Sequence, residues 1–136
     1  MNALPPTLPI RTECPPGACV CDRDALLQDP QADARVLLLT REEEKRLLQR
    51  LEQITSLADL RRLQDRMEQQ LGIRLTIAPG PTEVRTLRGI TILVHEQRGL
   101  CRKTRQSIPA AIRQALERRP EISYELLDEG GLFGAP

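Results

Sequence analysis

The stretch 40-TREEEKRLLQRLEQITSLADLRRLQDRMEQQLG-72 decides the fold. Thr40 followed three residues later by Glu43 has the form of a helix capping box, and Glu42 and Glu44 add negative charge where the first helical turn is positive. A helix is therefore expected from Arg41 to about Ile54, with Leu47, Leu48, Leu51 and Ile54 forming one apolar stripe at three-to-four spacing. Ser56 and Asp59 repeat the capping device in weaker form. They open a second helix whose Leu57, Leu60, Leu63, Met67 and Leu71 share a face and whose natural stop is Gly72. Two amphipathic helices joined this closely form a helical hairpin, and stripes only about four turns long suit core packing rather than an extended coiled coil.

Downstream, Ile73, Leu75 and Ile77 alternate with polar residues, Pro79-Gly80-Pro81 forces a turn, and Ile90 to Val94 is a second β-branched run. This predicts a small, antiparallel sheet. Ser107, with Pro109 two residues later, has the form of the cap of a third, C-terminal helix running through Ile112 and Leu116 and ended by Pro120. Residues 121–128 fit helix or strand, and 130–136 read as a flexible tail. Upstream, Arg35 to Leu39 is a short continuous apolar run that predicts a buried strand. Asp22 predicts the cap of a short helix stopped at Asp29-Pro30. Residues 1–13, with three prolines, read as an extended arm lying on the surface. The expected class is α+β: one domain over residues 1–136, in which 40% apolar residues suffice for a core. That core must be aliphatic, because Tyr124 and Phe133 are the only aromatic residues.

The formal net charge of +1 gives no global pull toward nucleic acid or membrane. Nothing has the pattern of an export signal or a membrane span, so a cytoplasmic protein is expected. In a reducing compartment four cysteines serve as metal ligands or redox thiols before they serve as disulfides. Three of them, Cys14, Cys19 and Cys21, fall within the loop 14–21, and 79 residues separate Cys21 from the fourth, Cys101. That three-plus-one set offers four soft sulfur donors to an iron-sulfur cluster or to zinc. Gly17 supplies the turn that lets the loop wrap a small inorganic core. His95, the only histidine, is the alternative ligand to Cys101.

Cys14-Pro15-Pro16-Gly17-Ala18-Cys19 resembles the start of the cluster loop in plant-type 2Fe-2S ferredoxins. The resemblance implies a 2Fe-2S centre. It covers about eight residues and departs at Cys21, which follows Cys19 after one residue instead of two. The ubiquitin-like fold of that family does not match the helix-rich middle of this chain. The sequence as a whole resembles small bacterial proteins with a similar cysteine-rich N-terminus, a likeness that implies no activity.

From Arg98 to Arg119 seven basic residues stand against Glu117 alone. Arg102, Lys103 and Arg105 could dock an acidic redox partner or the phosphates of nucleic acid, although no aromatic stacking platform accompanies them. A solvated helix face accounts for them equally. No phosphate-cradling loop or metalloprotease motif, and no nucleophile with a paired histidine other than Cys101 with His95, points to an enzyme. The leading expectation is a small soluble iron-sulfur protein in electron transfer. The alternatives are a cluster-sensing or nucleic-acid-binding regulator and a zinc-stabilised interaction module.

Overall fold

A computed structural model describes residues 10–11, 21–79 and 90–129. Within them the order is α1 (Arg23–Gln28), a 3-10 turn (Arg35–Leu38), α2 (Arg41–Glu52), α3 (Leu57–Leu71), β1 (Leu75–Pro79), β2 (Ile90–Val94), α4 (Arg102–Arg118) and α5 (Pro120–Glu129). The protein is of the α+β class. No helix among the described residues is long and apolar enough to cross a membrane.

Both capped helices form where the sequence places them. The Thr40 hydroxyl accepts the Glu43 amide at 3.3 Å, and the Ser56 hydroxyl accepts the Asp59 amide at 3.1 Å. Gly72 closes α3 at φ 68°, the left-handed conformation in which a β-carbon is costly. β1 and β2 pair antiparallel from Leu75 opposite Val94 to Pro79 opposite Ile90. Alternation buries Leu75, Ile77, Ile90, Ile92 and Val94 on one face and leaves Thr76, Thr91 and Leu93 outside. The loop expected around Pro79-Gly80-Pro81 lies outside the described residues from Gly80 on, as does the tail 130–136.

α4 packs on β2 and α5 on β1, so the two helices lie side by side under the sheet. α2 lies chiefly on α4, whereas α3 lies on the 3-10 turn and α5. The core joining them, from Leu26 to Leu127, contains no aromatic side chain among the described residues, and Tyr124 is exposed.

Three expectations are corrected. Residues 35–38 form a 3-10 turn, not a strand. Asp33 accepts the Arg35 amide at 3.1 Å and grips its guanidinium at 2.9 and 2.7 Å, while Leu37 and Leu39 amides bond three residues back. Val36, Leu37 and Leu39 are buried either way, so hydrophobicity does not choose between the two conformations. α1 does have Asp22 at its N-cap, but Asp22 is left-handed at φ 60° and its side chain makes no capping bond. α4 begins five residues before Ser107, with Cys101 as its N-cap; Ser107 donates back to the Lys103 carbonyl at 2.8 Å and Pro109 lies inside the helix. The buried series Cys101, Thr104, Ile108, Ala111, Ile112 and Ala115 explains this, since its period runs straight through the proline. Of the two conformations open to residues 121–128, the chain takes the helical one, over Pro120–Glu129. Pro120 opens α5 where its missing amide costs nothing, and Ile122, Ser123, Leu126 and Leu127 turn inward at helical spacing.

Candidate metal-thiolate site

Cys21 ends the described edge of the cysteine loop, and backbone bonding sets it against the turn that leads into α4. The Gly99 amide donates to the Cys21 carbonyl at 2.5 Å, so Cys21 is stitched two residues upstream of Cys101. Gly99 has no substitute at this point. Its φ is 84°, and a β-carbon would stand 2.5 Å from Leu26 Cδ2 and 2.8 Å from Val36 Cγ1. On the far side of the turn, Arg98 reaches Asp29 at 3.2 Å. The Gln31 amide, and then the Arg98 guanidinium, hold the Asp29 carboxyl below its ordinary range.

Arg11 completes the arrangement. Its amide donates to the Leu37 carbonyl at 2.7 Å, and its Nη2 donates to the Gly99 carbonyl and lies 3.7 Å from Cys21 Sγ. The residue is only 8% exposed, its Nε is buried without a hydrogen-bond partner among the described residues, and no described carboxylate pairs with it. The arm expected on the surface is therefore seated at Arg11, and Ile10 packs against the core. A buried guanidinium needs an anion, because an uncompensated charge in low dielectric is severely penalised.

Cys101 is 1% exposed and caps a helix of 17 residues whose first turn contains Arg102 and Lys103 and no acid. Cys21 and Cys101 are thus both buried, the one beside the Arg11 guanidinium and the other at the N-terminus of a long helix.

The remaining expected residues are distributed as follows. Cys14, Gly17 and Cys19 lie outside the described residues. His95 is on the surface, its Nε2 2.7 Å from Thr76 Oγ1 and its amide bonded to the Arg74 carbonyl at 2.9 Å. Arg102 and Lys103 are exposed, and Arg105 is half-buried, 3.4 Å from Glu96. Among the described residues no three His, Cys, Asp or Glu side chains converge as a metal site. Arg11 and Gly99 escape sequence reasoning altogether: one is a lone cation in a proline-rich arm, the other a glycine in an unpatterned link.

Comparison with family models, with curated proteins and with solved structures finds no match to this chain.

Proposed function

We propose that this is a metal-thiolate protein in which Cys14, Cys19, Cys21 and Cys101 hold an iron-sulfur cluster, 2Fe-2S by the loop resemblance, that serves electron transfer. The observation that carries the reading is the buried Arg11 guanidinium against Cys21, bonded to the turn two residues before Cys101. Four thiolates around iron make a net-negative centre, which is the charge this pocket needs. Zinc bound by the same cysteines would satisfy the charge equally, so metal identity is the decisive measurement.

A bound cluster would accept and release one electron without a covalent change in the protein. The chain's own contribution is electrostatic and steric. Arg11 and the N-terminus of α4 would stabilise negative charge on a bound cluster and so raise its reduction potential. Burial of Cys21 and Cys101 keeps water from their sulfurs. Arg102 and Lys103, exposed beside Cys101, offer an acidic partner protein a docking point next to the centre.

The test is anaerobic purification followed by iron, sulfide and zinc analysis and a visible spectrum, with reconstitution by iron and sulfide. Two irons per chain and a reversible one-electron titration are expected, both lost in Cys21→Ser and in Cys101→Ser. Stoichiometric zinc, or no chromophore after reconstitution, overturns the cluster assignment. Redox-dependent binding to mixed-sequence DNA would replace electron transfer with a sensing role.

A further inference from the structure

We infer that the cleft between α2 and α3 is a binding site for an amphipathic organic anion, a single aliphatic chain ending in a carboxylate. This reading does not depend on the metal-thiolate proposal.

The cleft follows from how the two helices are used. α2 spends its inner face on α4, and α3 spends its own on the 3-10 turn and α5, so consecutive helices diverge after residues 53–56. Leu47 of α2 and Leu63, Met67 and Leu71 of α3 then face a cavity of about 430 Å³ that Leu38 and Leu39 also line. Leu38, Leu47 and Leu71 are only partly buried along it, and a fitted ligand adds dispersion contacts to their open sides.

Size and charge select the occupant. The volume lies within the roughly 300–1,000 Å³ of small-molecule sites. A partner helix would require an interface of about 20–30 residues a side, more than this cavity presents. Three guanidiniums, the Glu43 carboxylate and the Gln70 amide also line the cavity. Arg46 and Glu43 hold each other at 2.7 Å and Asp59 holds Arg50 at 2.5 Å, whereas Arg66 makes no ion pair among the described residues. The one uncommitted charge beside the leucines is therefore a cation, which complements a chain with one negative head. Met67 lends the wall an unbranched, adaptable side chain that fits ligands of varied shape.

The chain has two methionines, Met1 and Met67, so 13C-methyl-methionine labelling places one reporter in the cleft. Dodecanoate, titrated into the full-length protein below its micelle concentration, should shift the Met67 methyl signal saturably. Dodecyltrimethylammonium at the same concentrations should shift it far less. Arg66→Glu, an exposed helix substitution, should weaken dodecanoate about tenfold and reverse the preference between the two probes. A Met67 signal that does not move with dodecanoate overturns the site, and so does an equal response to both amphiphiles. Dodecanoate binding unchanged in Arg66→Glu overturns the role of Arg66 and with it the anionic assignment.

Discussion

The Arg11 guanidinium and the Cys21 sulfur stand 3.7 Å apart, each residue more than nine-tenths buried. Among the described residues no carboxylate pairs with that cation. The contact sets a positive charge beside the sulfur. It also joins the arm before the cysteine loop to the turn before α4, because the same Nη2 donates to the Gly99 carbonyl.

In the metal-loaded protein, where the centre compensates the buried charge, replacing Arg11 by Met should lower the unfolding free energy by about 1–3 kcal/mol, the range for a charge-assisted hydrogen bond lost from the interior. The same change should lower the reduction potential of a reconstituted centre, since a nearby cation is removed. Arg11→Lys should retain the potential better than Arg11→Met. Urea titration and redox titration read the two effects, and identical potentials for all three proteins would dissociate Arg11 from the centre.

Gly99→Ala should destabilise the protein by about 2–4 kcal/mol. The left-handed backbone at φ 84° costs a β-carbon about 1–2 kcal/mol, and the approach to Leu26 and Val36 adds overpacking. Metal content should fall in parallel, because Gly99 bonds the Cys21 backbone. A urea midpoint within error of wild type would mean that the turn relaxes freely.

Asp59 supplies a pH dependence. Its carboxylate accepts from Arg50 Nη1 and Nη2, at 3.1 and 2.5 Å, and from the Thr55 amide at 3.1 Å. Hydrogen bonding from Arg50, foremost, holds its pKa below the ordinary value against the opposing effect of burial. A carboxylate with a depressed folded pKa contributes stability that is fully present above its unfolded value and disappears as pH falls through the folded one. Stability should therefore decline below about pH 4, more steeply in the wild type than in Asp59→Asn. At neutral pH Asp59→Asn should cost about 1–2 kcal/mol, discounted because Arg50 is half-exposed. Parallel acid-unfolding curves would rule the pair out as the source.

Pro109→Ala should stabilise the chain. Proline inside α4 removes the amide that would bond back to Arg105 and crowds that carbonyl, at a helix-interior cost of about 3 kcal/mol. The greater entropy of the unfolded Ala chain offsets part of the gain, leaving about 1–2 kcal/mol. Thermal unfolding checks the sign, and a lowered midpoint would show that the proline has a packing role of its own.

The N-caps offer a local control. Thr40→Ala and Ser56→Ala should each cost about 1 kcal/mol and leave metal binding alone. Loss of metal in either variant would tie α2 or α3 to the centre.

The site was legible only as chemistry. Four cysteines raise the expectation of a soft-metal ligand set, but nothing in the residues around Ile10-Arg11 shows that the arginine turns inward, because its partner lies far away: Gly99 is 88 positions on. His95 likewise could be proposed from the sequence alone, whereas its bond to Thr76 depends on the pairing of β1 with β2.

Short-range rules determined from sequence what they govern: the caps at Thr40 and Ser56, the stop at Gly72, and the antiparallel pair with its inward Leu75, Ile77, Ile90, Ile92 and Val94. Each depends on residues within a turn or on strand alternation. Tertiary structure alone decided the 3-10 turn at 35–38, the start of α4 at Cys101, the helical state of 120–129 and the burial of Arg11. In the first three, an apolar run fits more than one backbone, and packing against distant elements selects one. In the last, a charged side chain leaves water for bonds to residues that only the folded chain brings within reach.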